Sequence, residues 1–188
     1  MAGSLIHVIG FDDAPFPRGH RGDVAVVGAA FAGARLEGVL IGKVRRDGAN
    51  ATRCLLRLVA QSRFAAHNQL LMLQGIAFAG FNVVDIQALS AALAMPVLVV
   101  ARRQPNLAKI KKALLESVPG GKRKWRLIEK AGAMEQAAGV YVQRAGIGLA
   151  AAQRVIERFA VNSAIPEPLR TAHLIAGGLA GGRSRQRV

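Results

Sequence analysis

Acidic residues are scarce in this chain: 11 Asp and Glu stand against 26 Lys and Arg, a formal net charge of +15 over 188 residues. Each acid can therefore be weighed individually. Asp12 and Asp13 close an apolar run that starts at Ile6, and Asp47 lies in Arg46-Asp-Gly48 behind another strand pattern. Carboxylates at strand ends suit a hard divalent cation, which takes oxygen ligands and neutralises phosphate. Neighbouring strand residues point to opposite faces, so one of the two adjacent acids faces any given site, and Asp12 is the favoured ligand. Both acidic corners also have a plain reading as turns in which Asp caps free N–H groups. Asp85 follows Asn82 by three residues, the spacing of a capping box, which makes it a helix-start acid first. Glu167 lies between two prolines, where a first helical turn favours negative charge.

The run Leu70 to Leu73 reads as a buried strand, and its end is held by Gln74-Gly75. An acid would serve a cation best there; the amide oxygen of Gln74 can coordinate but brings no charge. Gly75 and Gly80 bound a small-residue loop that allows close backbone approach to a substrate. His173 falls three residues after Arg170 on one helix face. A lone His is usually structural, yet an imidazole near metal-bound water can shuttle protons. Arg102-Arg103 ends a strand, and Lys122-Arg-Lys-Trp-Arg126 is the densest basic run. It holds the single tryptophan, as a stacking platform for nucleic acid would. The alternative is a solvated loop with Trp125 turned into the core.

These residues need a scaffold to position them. Hydrophobic residues make up 52% and charged residues 20%, which excludes a disordered chain and supports one domain with a substantial core. Excess positive charge of this size points to a polyanionic partner, nucleic acid first. The lone Cys54 sits among leucines, so it reads as a buried thiol; disulfides and Cys-based zinc sites are excluded and a reducing cytoplasm is expected. Neither a signal peptide nor a spanning helix is apparent, since Pro96 divides the uncharged stretch from Ile86 to Ala101. No Walker loop, nucleophile elbow or dinucleotide fingerprint occurs.

The spacing predicts strands over Ile6–Phe11, Val24–Phe31, Leu36–Val44, Leu70–Leu73, Val97–Val100 and Val140–Val142. Helices are predicted over Ala51–Arg63, from an Asn82 cap to about Ala94, over Leu107–Ser117 with Asn106 as cap, over Gly146–Phe159, and from Ile165 to about Ala176. Pro119-Gly-Gly121 reads as a break, the loop from Pro15 to Asp23 as surface, and residues 183–188 as a loose basic tail behind a domain of residues 1–182. A β-meander followed by alternating α and β elements gives an α/β fold, a mixed sheet flanked by helices on both faces, as in ribonuclease H-like folds.

The chain also resembles a prokaryotic family of endonuclease V relatives called endonuclease dU. The resemblance is carried by Ile9-Gly-Phe-Asp-Asp13, Arg46-Asp-Gly-Ala-Asn-Ala-Thr52 and Gln74-Gly-Ile-Ala-Phe-Ala-Gly-Phe-Asn-Val-Val-Asp85. Pro96-Val-Leu-Val-Val-Ala-Arg-Arg-Gln-Pro105 and Ile165-Pro-Glu-Pro-Leu-Arg-Thr-Ala-His173 extend it over nearly the whole chain. It implies an endonuclease V-like fold and a DNA-repair hydrolase. The implied activity is Mg2+- or Mn2+-dependent cleavage of DNA, or of RNA, beside a deaminated base such as uracil or hypoxanthine. It implies Asp12, Asp47 and His173 as catalytic residues and Asp12, Asp47 and Gln74 as metal ligands, with Asp13 and Asp85 in reserve. Gly75, Gly80, Arg102, Arg103, Lys122, Arg123, Lys124 and Arg170 are the expected substrate contacts. Gln74 departs from the family's Asp-Gly strand end and weakens the metal site. The rival expectation is therefore a non-catalytic nucleic-acid-binding module on the same fold; a protein-interaction subunit whose charge aids solubility is a third. No membrane partner is expected, and the oligomeric state is left open.

Overall fold

The computed structural model describes residues 5–184, so most of the basic tail expected at 183–188 lies outside the described residues. The meander is present: β1 (His7–Asp13), β2 (Asp23–Ala32) and β3 (Arg35–Arg45) pair antiparallel in turn. Then come α1 (Ala51–Ala60), β4 (Leu70–Gln74), the two-residue strands β5 (Ala77–Phe78) and β6 (Asn82–Val83), α2 (Ile86–Leu93) and β7 (Val97–Ala101). The chain continues through α3 (Leu107–Ser117), α4 (Gly121–Ala131), β8 (Glu135–Ala137), β9 (Val140–Ala145), α5 (Leu149–Phe159) and α6 (Glu167–Gly181). Seven strands form one sheet in the order β3-β2-β1-β4-β7-β9-β8, and β5 and β6 form a separate small pair. β1, β4 and β7 run parallel at the centre, with antiparallel strands on both sides. Central strands covered on both faces must be apolar throughout, and Leu70 to Leu73 and Val97 to Val100 are all buried.

The register decides which side chains share a face. Phe11 pairs with Leu73, which leaves Asp12 level with Gln74 at the ends of two parallel strands. Asp12 lies on the face of Gly10, the face covered by α6, whereas Asp13 lies on the opposite face with Phe11. Gly10 is where α6 crosses β1 most closely. A Cβ there would stand 2.4 Å from the Pro168 carbonyl carbon and 2.7 Å from the Leu169 nitrogen. Those are backbone atoms of a helix start and cannot swing aside. Gly10→Ala is therefore expected to push α6 off the sheet and cost about 2–3 kcal/mol, read as a lower denaturation midpoint at unchanged m-value. An unaltered midpoint would mean that the crossing is looser than described.

Several local expectations are corrected. Asn82 does not cap α2. Its buried side chain accepts from Ala51 N at 2.9 Å and donates to the Arg45 carbonyl at 2.9 Å and to Asn50 Oδ1 at 2.7 Å, tying β6 to the start of α1. Asp85 is the cap, accepting from Ala88 N at 3.0 Å. α1 stops at Ala60 because the Ser62 hydroxyl donates to Val59 O and accepts from Phe64 N, closing a local turn in place of another helical one. The basic run 122–126 is not a loop but the first half of α4. α6 runs through Gly177-Gly178, because its buried face of Pro168, Leu169, Ala172 and Ala176 outweighs roughly 1 kcal/mol per helical glycine. Cys54 is buried and unpaired, as expected. Among the described residues no helix is long and apolar enough to cross a membrane.

Candidate functional site

Asp12 is 5% exposed and has a partner on each oxygen. Its Oδ2 lies 2.7 Å from His173 Nδ1, and its Oδ1 accepts from the Asp13 backbone N at 2.9 Å. A partner 161 residues away in sequence reaches it because Gly10 lets α6 lie against β1. The bond to Asp12 raises the His173 pKa; burial opposes that rise, and the charges of Asp12 and Asp13 add to it. A carboxylate held this way is oriented as a metal ligand needs to be. Beside it on the register, Gln74 keeps Oε1 buried with no hydrogen-bond partner. An unpaired buried acceptor costs about 1–3 kcal/mol, a cost that a donor or a cation at this oxygen would offset.

Asp13 turns the other way, and its Oδ2 accepts from Ala79 N at 2.6 Å. Burial first, and then the charge of Asp12, raise its pKa to about 6 against the pull of the Ala79 N–H. A bound cation would relieve that repulsion. In metal-free protein the Asp13 carboxyl is accordingly expected to titrate near 6, and saturating Mg2+ should move the titration down, as followed by carboxyl-carbon NMR. Because the native state holds this proton more tightly than the unfolded chain, folding stability should fall as pH climbs from about 4 to about 6, by about 3 kcal/mol. A midpoint near 4 without metal would remove this account of the acidic corner.

Asp47 meets the same loop from β3. It has a left-handed φ of 50°, its N donates to Ala79 O at 2.9 Å, and its Oδ1 accepts from Phe81 N at 2.8 Å. A Cβ on Gly80, whose φ is +85°, would sit 2.5 Å from that Oδ1, so the glycine is required by conformation and by space. Asp13 and Asp47 thus converge on residues 79–81 and clamp the loop from both sides. Asp47 keeps Oδ2, which lies 3.4 Å from Arg46 Nε.

Among the described residues no cluster of three or more His, Cys, Asp or Glu side chains is arranged to hold a metal. The donors that fit a hard cation are the Asp12 carboxylate and the unclaimed Gln74 oxygen. Asp85 is taken up elsewhere: besides capping α2, it pairs with Lys130 Nζ at 2.7 Å, which lowers its pKa despite burial. Arg170 is engaged by Glu167, with Nε at 2.9 and 3.0 Å from the two carboxylate oxygens.

The expected phosphate contacts divide into two groups. Lys122, Arg123 and Arg126 are exposed along α4, and Arg102 and Arg103 are exposed beyond β7. Lys124 is not available to a substrate backbone: it is buried, and its Nζ donates to the Asp47 carbonyl. Helical spacing explains the difference, since one residue of the run must face inward. Trp125 settles between its two expectations. It packs on the small cluster of Val83, Leu114 and Ile128, its Nε1 donates to Glu129 Oε1 at 2.6 Å, and Lys111 lies over its ring at 5.1 Å.

Sequence reading missed Arg46, whose Nη1 donates to the carbonyls of Arg18 and His20 while its guanidinium lies 5.5 Å from the Phe16 ring. It fixes the β1–β2 loop as one wall of a groove of about 640 Å³, with Gly177 and Gly181 of α6 opposite and Asp12, Asp13 and His173 along it. Gly75 and Gly80 line a second, apolar cavity of about 280 Å³. The Asp12 corner therefore lies beside an open groove, with a cavity beginning one residue past Gln74.

The sequence profile of the endonuclease dU family matches residues 4–180. A UPF0215 protein of Deinococcus radiodurans is 62% identical over 185 residues, covering 98% of this chain and 94% of its own. The crystal structure of a protein of unknown function from Archaeoglobus fulgidus superposes with a TM-score of 0.86 at 30% identity, covering 93% of this chain and 98% of that one. Endonuclease V of Ciona intestinalis, solved with a 24mer DNA containing an inosine followed by a ribo-adenosine, gives 0.57 at 14% identity, covering 91% and 84%. That likeness shows the ribonuclease H-like fold of endonuclease V, as expected from the order of elements. On the family profile and the close relatives, this chain belongs to the endonuclease dU family, whose members are also named UPF0215 proteins.

Proposed function

We propose that the protein is a metal-dependent endonuclease that cuts DNA, or RNA, beside a deaminated base such as uracil or hypoxanthine. The observation that carries this reading is the Asp12–His173 pair standing level with the orphaned, buried oxygen of Gln74. Membership of the endonuclease dU family and the DNA-bound endonuclease V of the same fold support it. Asp12 and Gln74 would hold Mg2+ or Mn2+, with Asp13 next to them; Asp47, whose Oδ2 faces Arg46 Nε at 3.4 Å, would join only by giving up that ion pair. When bound, such an ion activates water and offsets charge gathering on the scissile phosphate. His173 keeps Asp12 oriented through Nδ1, and the bond to Asp12 shifts its pKa upward, which favours the form that can give a proton to a departing oxygen on the groove side. Arg102, Arg103, Lys122, Arg123 and Arg126 would follow the phosphate backbone, which makes binding steeply salt-dependent.

Gln74 in place of an acid favours one rival, a nucleic-acid-binding module of the same fold without catalysis. Incubation of the full chain with oligonucleotides carrying one uracil or one hypoxanthine, with Mg2+, with Mn2+ and with EDTA, separates the two. The endonuclease reading expects a nick near the altered base in either metal and none in EDTA. Salt-sensitive binding that EDTA does not change, with no nick in any metal, would replace it with the rival.

A further inference from the structure

β3 is an outer strand of the seven-stranded sheet and, at 11 residues, its longest. Strand edges in soluble proteins are blunted by shortness, proline or charge, because a bare row of N–H and C=O groups pairs with another chain. The middle of β3, Val39-Leu-Ile-Gly42, has no such protection. Val39 pairs with Ala29, which pairs with Gly10, so Val39 and Ile41 lie on the sheet face where α6 packs on β1 and β2. They are nonetheless 39% and 54% exposed. The direction of the backbone groups follows from the ends of the strand. From Gly38 to Arg45 the pairing with β2 is regular, so alternate residues turn N–H and C=O the same way. Arg45 N donates to Asn50 Oδ1 at 3.1 Å, away from β2, and Lys43 N lies against the Cys54 thiol. At the other end Arg63 donates to the Glu37 carbonyl at 2.7 Å. Val39 and Ile41 share the outward direction, and among the described residues nothing bonds their outer N–H and C=O groups.

The strand is its own complement about Leu40. A second copy laid antiparallel on that centre sets Val39 beside the partner's Ile41 and Glu37 beside the partner's Lys43, each pair occurring twice by symmetry. Gly38 then meets the partner's Gly42. Opposed residues that both point outward exchange both hydrogen bonds, so Val39 and Ile41 satisfy each other's open groups. A slide of two residues either way would set Lys43 against Val39, or Glu37 against Ile41, and lose the match of charge to charge and aliphatic to aliphatic. Arg35 falls opposite the partner's Arg45, but each already holds an acid of its own chain, Glu37 Oε1 at 2.7 Å and Asp23 Oδ1 at 3.2 Å. We propose that two copies of this chain pair through the β3 edge about a two-fold axis at Leu40, which continues one sheet into the other. β1, which carries Asp12, lies two strands in from this edge, and the pairing does not depend on the endonuclease reading.

Sedimentation velocity of the full chain without nucleic acid, over the micromolar range, reads the pairing directly. At about 0.15 M salt a Debye length of about 8 Å screens the +15 of each copy at long range while charges in contact still act. Wild type should pass from single to double mass as concentration rises. Glu37→Lys and Lys43→Glu each set like charges opposite one another twice, and each alone should keep single mass. Mixed in equal amounts, the two variants restore both opposite-charge pairs and should form a dimer again, which also shows that each has folded. Ile41→Pro removes an N–H that points off the edge, a place where a strand tolerates proline, and should leave a folded single chain. Single mass in wild type throughout the range overturns the proposal and leaves the edge to a strand of a different protein. A dimer untouched by the single variants, or a mixture that stays at single mass, overturns it as well.

Discussion

Asp12→Asn is expected to lower single-turnover cleavage by about 10²–10³-fold or more, the scale seen when one group that stabilises developing charge is removed. The substitution preserves size and can keep the Asp13 N–H bonded through the new amide oxygen. What it removes is the charge, and with it the reason for His173 to hold a proton. Proton-detected titration of His173 supplies the control. Its pKa, raised in wild type chiefly by the bond to Asp12, should drop toward the ordinary imidazole range in the variant. The sign carries to stability as well. A histidine whose native pKa lies above its unfolded value stabilises fully below about 6.5, and that contribution fades as pH rises through the native value. Wild type should lose it on going to alkaline pH, and Asp12→Asn should lack it at every pH. Full activity in the variant would take Asp12 out of the chemistry; an unchanged His173 titration would dissolve the pair.

Much of this site was legible because it obeys local rules. Strand alternation alone separates Asp12 from Asp13, and the structure gives them opposite faces and different partners. The apolar runs ending at Gln74 and Ala101 mark buried parallel strands, and they are the middle strand of the sheet and its neighbour. What stayed hidden depends on contacts made across the fold. Asn82 has the composition of a cap and the position of one, but burial recruits its amide to three partners along the β3–α1 connection, and Asp85 inherits the capping. The role of Lys124 depends on which residue of a basic run faces inward, and the run reads as a loop until Pro119-Gly-Gly121 is seen to start a helix.

Gln74→Glu should tighten divalent-cation binding by one to two orders of magnitude and, without metal, should destabilise the protein. The replacement is isosteric, so it puts a carboxylate where an unpartnered oxygen already sits. Two carboxylates brought within about 4 Å of each other would repel by about 4 kcal/mol at an effective dielectric of about 20, and the same charges attract a shared dication more strongly than one alone. The variant should therefore melt below wild type in EDTA and gain more from Mg2+ or Mn2+, because each tenfold in affinity adds about 1.4 kcal/mol at a given excess of metal. Gln74→Leu moves the other way. Deleting an unpaired buried acceptor should raise metal-free stability by about 1–3 kcal/mol and abolish the metal response. The two variants together separate a ligand from a packing residue: a ligand trades stability for affinity with opposite signs in Glu and Leu. Equal metal responses in wild type and both variants would place the ion away from β4, and Asp12 would then have to hold it with Asp13 or Asp47.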